Sequence, residues 1–183
     1  LEHQLKDSGA TAIVILENFA HTLSEVVDHT NVQHVVMASM GDLLGFWFGK
    51  WITFAVRHLA KMVPAYELPL TNGRKVVSFK KALAMGERRT LAPSTATLDS
   101  IAFLQYTGGT TGLSKGAVLT HRNIVAATLQ AEAWFTPALA KIGDVTKANS
   151  IAALPLYHIF ALTLCLLAIR QGSSLTLIPN PRD

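Results

Sequence analysis

Charged residues and cysteine are both scarce in this chain of 183 residues. Charged side chains make up 15% of the sequence and hydrophobic ones 50%, a balance that predicts apolar faces which further segments would cover. The single cysteine, Cys165, lies in an apolar run, so no intramolecular disulfide can form. We therefore expect a buried, inert thiol and a reducing, cytoplasmic setting.

Several functional patterns are also missing. No secretory signal pattern opens the sequence, and it contains no internal repeat and no low-complexity segment. The net charge is only +4, and no basic stripe with interleaved aromatic residues occurs, which argues against nucleic acid as a partner. Neither the Walker pattern nor the G-x-G-x-x-G dinucleotide fingerprint fits the glycine-rich stretch of the chain.

That glycine-rich stretch reads LQYTGGTTGLSKGAVLTHRN and runs from Leu104 to Asn123. The segment Ile101–Tyr106 is short and largely apolar, which predicts a strand. The residues from Thr107 to Gly112 combine glycines with hydroxyls, so they can fold tightly and turn backbone N–H groups towards an anion. Lys115 adds a mobile positive charge. This composition suits a polyphosphate better than a packed core and predicts a nucleotide site.

A second segment, Ile151–Leu162, reads IAALPLYHIFAL. It predicts a buried strand ended by Pro155, then a turn that presents Tyr157 and His158, then an apolar helix. On spacing alone, His158 fits a core histidine satisfied by its neighbours better than a ligand. Its position downstream of the glycine-rich stretch favours a site residue.

Residues Thr107–Gly116 resemble throughout the phosphate loop of the adenylate-forming enzymes, whose pattern is Ser/Thr-Gly/Ser-Gly-Ser/Thr-Thr-Gly-x-x-Lys-Gly. The segment around His158 is similar to the element in which that superfamily keeps a histidine beside the acyl carboxylate. Within the superfamily, the sequence around both motifs and at the ends of the chain most resembles that of the bacterial long-chain fatty-acid–CoA ligases. The resemblance runs over the whole chain, and it is least characteristic between Met40 and Thr97.

The resemblance implies an ATP-dependent acid–thiol ligase, which joins a long-chain fatty acid to AMP and then transfers the acyl group to CoA. It assigns catalytic roles to Lys115 and His158, and it places Thr107 near Mg²⁺. The implied nucleotide-binding residues are Tyr106, Thr107, Gly108, Gly109, Thr110, Thr111, Gly112, Leu113, Ser114, Lys115 and Gly116.

Hydrophobic runs predict alternating strands and helices. The predicted strands are Thr11–Leu16, Val32–Ala38, Ile101–Tyr106, Ile151–Leu154 and Ser174–Ile178. The predicted helices are Phe19–His29, Thr120–Trp134, capped by the Thr120 hydroxyl, and Ile159–Arg170. This alternation predicts an α/β fold of three layers with a mostly parallel sheet, and it places the phosphate loop at the carboxyl end of a strand, before a helix.

The segment Leu43–Val63 predicts a basic amphipathic helix. Lys50, Arg57 and Lys61 align on one face, while the opposite face is apolar and consists of Phe48, Trp51, Ile52, Ala55, Val56, Leu59, Met62 and Val63. Such a helix suits peripheral contact with the inner face of the cytoplasmic membrane, or packing on another part of its own enzyme. The uncharged run Ile151–Ile169 is not expected to span a bilayer, because it contains Pro155 and His158.

We expect residues 1–183 to be a single fragment of the AMP-binding N-terminal domain, with the mobile C-terminal domain outside the chain. Three alternatives stay open at this stage. The first is another adenylate-forming ligase, acting on aryl or amino acids. The second is a non-catalytic fragment that binds nucleotide weakly, and the third is a membrane-docking module built on Leu43–Val63.

Overall fold

Short strands alternate with helices along the chain, as the sequence predicts. The computed structural model describes residues 1–108, 112–141 and 143–178. Among these residues, three of the four strand pairs are parallel, which confirms the α/β class and the mostly parallel sheet. The chain divides into two units, Leu1–Pro93 and Ser94–Asp183.

The first unit is built on a parallel three-stranded sheet in the order β1-β2-β3. Its elements are α1 (Glu2–Asp7), β1 (Ala12–Leu16), α2 (Ala20–Ser24), β2 (His34–Ala38), α3 (Phe46–Phe54), β3 (Lys75–Ser78) and α4 (Phe79–Glu87). The sequences AIVIL of β1 and HVVMA of β2 are rich in β-branched residues, which pack well on a pleated surface. Both strands were predicted, and both are confirmed.

The hydrophobic core of the first unit joins its helices to β2. Its buried residues are Leu5, Leu23, Val27, Val32 and Val35. Partly buried residues of β1, β2 and β3 pack against this cluster, among them Ile13, Met37 and Val76. Because each fully buried aliphatic side chain contributes about 1.5–3 kcal/mol, this cluster is the main source of stability in the unit.

The helix predicted over Phe19–His29 is broken into short pieces, which corrects the prediction. The backbone forms a 3₁₀ turn at Glu17–Phe19, α2 at Ala20–Ser24 and a second 3₁₀ turn at Val27–His29. The Val27 carbonyl accepts hydrogen bonds from the side chains of Thr30 at 2.8 Å and Arg74 at 3.1 Å. These side chains replace the donors that a continuous helix would supply.

Arg74 is a buried cation, with a side chain only 2% exposed. Its guanidinium donates to the carbonyls of Val27 and Val32, both at 3.1 Å, and to the Asp28 carboxylate at 2.8 Å. The Thr71 hydroxyl also donates to Asp28, at 2.6 Å. Hydrogen bonds from Thr71 and Arg74 hold the pKa of the Asp28 carboxyl below its ordinary value of 3.8. Arg74 thus ties the chain ahead of β3 to the segment ahead of β2.

The helix predicted over Leu43–Val63 is shorter than expected and changes its winding. α3 ends at Phe54 and continues as a π-helix over Ala55–Leu59, with the Ala60 N–H donating to the Ala55 carbonyl at 2.8 Å. A π turn is wider than an α turn, so side chains beyond Phe54 leave the phase set by the first part. The single apolar face predicted for the whole segment is therefore wrong beyond Phe54.

Arg57 also departs from the prediction, because it forms an ion pair with Glu17, whose side chain is fully buried. Arg57 Nε donates to Glu17 Oε2 at 2.8 Å, and Nη2 donates to the same oxygen. The Glu17 hydrogen bond raises the pKa of the Arg57 guanidinium, against the lowering effect of its partial burial. Arg57 is therefore engaged with the first unit, and it does not extend a free basic face with Lys50 and Lys61.

The second unit contains two small sheets. Its elements are β4 (Ile101–Thr107), β5 (Lys115–Thr120), α5 (His121–Leu139), β6 (Asn149–Ala152), α6 (Ile159–Gln171) and β7 (Ser174–Leu177). Strands β4 and β5 are antiparallel, and β6 and β7 are parallel. Every strand and helix predicted in this region is present, but β5 was not predicted.

The helices of the second unit begin and end at residues suited to those positions. The Thr120 hydroxyl accepts from the Asn123 N–H at 3.3 Å, and the Asn123 side chain accepts from the Thr120 N–H at 3.0 Å, which forms a capping box and confirms the predicted cap. α6 ends at Gly172, in the left-handed conformation with φ of 66°. Cys165 on α6 is half-buried, which is less than the full burial expected.

Within the part of the chain that the structure describes, none of the helices combines the length and apolarity required to cross a bilayer. The uncharged run Ile151–Ile169 is instead divided among β6, a turn after Pro155 and α6, as the sequence predicts.

Candidate functional site

The glycine-rich stretch forms the connection of a β-hairpin. Strands β4 and β5 pair up to Thr107 opposite Lys115, which leaves residues 108–114 between them. The helix predicted after this loop is confirmed as α5, which begins at His121, but the unpredicted strand β5 lies between the loop and the helix. The hairpin ladder fixes both ends of the loop. Thr107, which carries a hydroxyl, therefore faces Lys115, which carries an ammonium group, where the loop begins and ends.

The structure describes most of the predicted nucleotide-binding residues. Gly109, Thr110 and Thr111 lie outside the described residues. The remaining ones end β4 (Tyr106, Thr107), lie in the connection (Gly108, Gly112, Leu113, Ser114) or begin β5 (Lys115, Gly116).

Gly116 has a steric reason to be glycine. It pairs with Tyr106 across the ladder, and a Cβ built on Gly116 would lie 2.9 Å from the Cζ atom of the Tyr106 ring. The absence of a side chain therefore lets the aromatic ring lie over β5. This packing orients Tyr106 immediately before Thr107.

Side chains tie the two ends of the connection together. The Ser114 hydroxyl donates to the Thr107 carbonyl at 2.9 Å. The Thr107 hydroxyl lies 3.5 Å from the Lys115 carbonyl, at the outer limit of a hydrogen bond, so another partner can displace that contact at little cost. Thr107 and Lys115 are both exposed, which leaves them accessible to a ligand.

His158 is exposed at the N-terminus of α6, which excludes the buried core histidine considered above. Its backbone N–H donates to the Pro155 carbonyl at 2.9 Å and closes the turn before the helix. Its ring Nδ1 accepts from the Phe160 N–H at 3.3 Å, so the histidine side chain caps α6. An Nδ1 that accepts carries no proton in the neutral ring, which assigns the proton to Nε2. His158 therefore presents an N–H donor to a ligand.

A contact between Gln105 and Tyr157 joins the two motifs. The Gln105 side-chain amide, on β4, donates to the Tyr157 carbonyl at 2.7 Å. The structure thus brings the strand that enters the glycine-rich loop next to the turn that carries His158. The sequence analysis assigned no role to Gln105, although an amide side chain in the otherwise apolar run IAFLQY was a signal that this position has a polar partner.

A small apolar cavity of about 120 Å³ lies between β6 and the first turns of α6. Its walls are Ile151, Ala152, Ala153, Leu154, Phe160, Ala161 and Leu164. Phe160 in its wall lies two residues beyond His158 in the sequence, so the cavity and the His158 donor belong to the same part of the unit. The cavity has room for a few methylene groups of a ligand.

Across residues 1–108, 112–141 and 143–178, no group of three or more His, Cys, Asp or Glu side chains is placed to hold a metal ion. Mg²⁺ prefers oxygen ligands, and it is commonly held by one or two carboxylates together with substrate phosphates. The exposed Thr107 hydroxyl is an oxygen atom at the end of β4. Thr107 could therefore supply one ligand to a metal ion that arrives with a polyphosphate.

Comparison with known proteins bears on the whole chain. The sequence is 50% identical over 184 residues to a long-chain-fatty-acid–CoA ligase of Escherichia coli O157:H7, and 49% identical over the same length to one of Salmonella typhimurium. The alignments cover 100% of this chain but 31% of each ligase, so the chain spans about a third of the length of these curated relatives.

The fold also matches a solved structure, that of the A-PCP didomain of carboxylic acid reductase from Segniliparus rugosus in complex with AMP. The TM-score is 0.62 at 18% identity, over 98% of this chain and 24% of the other. At this identity the likeness concerns the fold alone. The sequence profile of the AMP-binding enzyme family matches residues 1–183. With this match over its full length, the chain belongs to the AMP-binding enzyme family.

Proposed function

We propose that this chain is the phosphate-loop part of a long-chain fatty-acid–CoA ligase, and that residues 1–183 belong to its AMP-binding N-terminal domain. The observation that carries the proposal is the hairpin that sets Thr107 opposite Lys115 across the glycine-rich loop. The identity of about half to ligases of that name, along the entire chain, supports the choice of substrate.

The reaction has two steps. A fatty carboxylate oxygen attacks the α-phosphorus of ATP, and the bond to pyrophosphate breaks. The CoA thiol then attacks the acyl carbon and loses its proton, and AMP leaves. Carboxylate is a poor acyl donor, so the thioester becomes accessible only when one carboxylate oxygen is bonded to AMP and can depart as part of that leaving group.

The loop contributes electrostatic stabilisation in the first step. Negative charge grows on the departing pyrophosphate, and the Thr107 hydroxyl, the Lys115 ammonium and backbone N–H groups of the loop would donate to it. Mg²⁺, when bound beside Thr107, would neutralise part of the phosphate charge. The Lys115 ammonium is a compact point charge on a flexible side chain, so it can follow the pyrophosphate as this leaving group departs.

His158 would act on the fatty carboxylate, which attacks the α-phosphorus. Its Nε2–H would donate to the fatty carboxylate and hold it in line with the α-phosphorus. The ring needs a fixed orientation for this task, and the hydrogen bond from the Phe160 N–H to Nδ1 provides it. The apolar cavity beside α6 would accept methylene groups next to the carboxylate.

Lys115→Ala in the full-length protein tests this assignment. We expect adenylation, measured as pyrophosphate release, to slow by about 100-fold, or about 3 kcal/mol, because the lost interaction is strongest in the transition state. Thioester formation from supplied acyl-adenylate should suffer far less, since pyrophosphate has already left. Lys115→Arg should restore only part of the rate.

Lys141→Ala is the matched control, because this exposed lysine follows α5 and lies outside both motifs. It should change neither half-reaction. Equal losses in both half-reactions of Lys115→Ala would mean that Lys115 supports the fold of the loop and not the departure of pyrophosphate. Activity with aryl or amino acids in place of fatty acids would instead favour another adenylate-forming ligase.

Peripheral contact with a membrane is a second proposal, supported by the aromatic residues of α3. Trp47 is 81% exposed, and Phe46, Phe48 and Trp51 are also exposed. Lys50 Nζ lies 4.1 Å from the centre of the Phe46 ring, which places a cation among these aromatic groups. Bulky aromatic residues with a nearby lysine suit the headgroup region of an anionic bilayer.

Sedimentation with vesicles that contain anionic lipid tests this contact in the full-length protein. We expect Trp47→Ser to weaken binding, and Lys50→Glu with Lys61→Glu to weaken it further at low salt, by about 1 kcal/mol per charge. Trp134→Ser is the control, because Trp134 is 82% exposed but belongs to the second unit. Equal effects of the two tryptophan substitutions would rule out α3 as the contact.

A further inference from the structure

Gln105 occupies a position between the two motifs that neither of them explains. It lies on β4 two residues before Thr107, and its side chain is half-buried. Its amide donates to the Tyr157 carbonyl at 2.7 Å, across 52 residues of sequence. A short hydrogen bond between segments so far apart fixes their relative position more strongly than a contact within one turn does.

The alternation of side chains along β4 gives this contact a direction. Gln105 pairs with Ala117 and Thr107 with Lys115, and the ladder is regular between these pairs. Residues two apart on a strand project from the same face, so Gln105 and Thr107 share a face of the hairpin. The turn that carries His158 is therefore held on the face from which the Thr107 hydroxyl projects.

The turn itself leaves the Tyr157 carbonyl for an outside donor. Its own hydrogen bond runs from the His158 N–H to the Pro155 carbonyl, and the His158 ring is tied to the Phe160 N–H on the helical side. Gln105 supplies the missing anchor on the side of the turn that precedes His158. The backbone before His158 is then held by Gln105, and the imidazole itself is held by the Phe160 N–H.

We infer that Gln105 is a positioning residue, which sets the His158 donor at a fixed distance from the phosphate loop. This inference rests on the proposed function, in which the carboxylate at His158 must meet the α-phosphorus of a nucleotide held by the loop. A carboxylate and a phosphorus atom react only when they are aligned, so a rigid link between their binding elements accelerates adenylation without touching either substrate.

Kinetics of the full-length protein test the link. Gln105→Met keeps the length of the side chain and removes the donor; we expect it to lower kcat for adenylation about tenfold and to leave the KM for ATP unchanged. In a His158→Ala background the same substitution should cause no further loss, because Gln105 acts through His158. Gln130→Met on α5 is the matched control and should change nothing.

Two kinetic outcomes would overturn the inference. One is an unchanged kcat in Gln105→Met. The other is an equal loss with and without His158, since a merely structural role for Gln105 would damage both backgrounds alike. If an unchanged kcat is accompanied by a change in the KM for ATP, the substitution acts on the nucleotide and not on the carboxylate.

A second measurement is independent of activity. In ¹⁵N spectra of the histidine-labelled full-length protein, His158 should show an unprotonated Nδ1 and a protonated Nε2. We expect both signals to move in Gln105→Met and to stay in Gln130→Met. Unchanged His158 signals would overturn the link even if the kinetics agree. If the protein forms no acyl-adenylate at all, the proposed function fails, and these spectra still decide whether Gln105 positions His158.

Discussion

The two units of the chain are stabilised in different ways. The first has one continuous core, a three-stranded sheet and a buried arginine that makes several hydrogen bonds. Among its described residues, the second has two sheets of two strands, and its buried hydrophobic residues are Ala152, Ala161, Leu167 and Ala168. Three of these four described residues are alanines, so their burial removes less apolar surface from water than that of the larger core residues of the first unit.

The unit with the smaller core carries the residues of the proposed site. The glycine-rich loop, Lys115 and His158 all belong to the second unit, where Trp134 and Tyr157 are largely exposed. Hydrogen bonds supplement the small core of this unit: those of the hairpin ladder, the capping box at Thr120 and the Gln105 side chain. The larger core and the proposed site therefore lie in different parts of the sequence.

Two arginine–carboxylate pairs test this difference, and the larger effect is expected in the first unit. Arg74→Met should lower the free energy of unfolding of that unit by about 3 kcal/mol, because it removes the guanidinium donors from the buried carbonyls of Val27 and Val32. Among the described residues, the Val27 carbonyl then retains only Thr30 as a donor. Denaturant unfolding, followed by hydrogen exchange of peptides from each unit, measures the loss where it occurs.

Arg170→Met is the counterpart in the second unit. Arg170 donates to Glu132 at 2.7 Å, but the two side chains are 50% and 31% exposed. Water screens such a pair, so its removal should cost at most about 1 kcal/mol. Losses of similar size in the two variants would mean that the units do not differ in the way described, and that the burial of Arg74 has little energetic weight.

Most of the fold could be predicted from the sequence, because hydrophobic period and turn residues are local signals. β1, β2, β4, β6 and β7 were placed by their apolar runs, and the cap at Thr120 by its hydroxyl. Two of the errors involve partners that are distant in sequence. The segment Phe19–His29 forms α2 between two short turns, the second of which is bound by Arg74 at the Val27 carbonyl, and Arg57 is the partner of buried Glu17 instead of part of a free basic face.

Residues for the candidate site could be proposed from the sequence, but their geometry could not. The pattern Thr107–Gly116 names the loop, yet a pattern does not state that β5 returns along β4 and sets Lys115 opposite Thr107. Gln105 was overlooked because its partner lies 52 residues away and is a backbone carbonyl, which no side-chain pattern records. The roles given to Lys115 and His158 stay predictions until the kinetic tests are made.

Close approaches of glycine give a finer comparison of the two units. In the first unit, Gly49 of α3 packs against the backbone of Gly41, and a Cβ on Gly49 would collide with the Gly41 carbonyl oxygen. In the second unit, a Cβ on Gly116 would meet the Tyr106 ring. Backbone cannot move aside without shifting an element, whereas a ring can rotate or swing away.

We therefore expect Gly49→Ala to lower the free energy of unfolding by about 2 kcal/mol, and Gly116→Ala by less than about 1 kcal/mol. Gly86→Ala is the control, because Gly86 lies in α4 with open space around it, and alanine there should stabilise the helix by about 0.5–1 kcal/mol. Thermal or denaturant unfolding of the three variants measures these values. Gly49→Ala and Gly86→Ala share the gain in helix propensity, so the difference between them isolates the cost of the collision with Gly41. A Gly116→Ala loss larger than that difference would show that the hairpin, and not the packing of α3, is the less tolerant of the two close approaches.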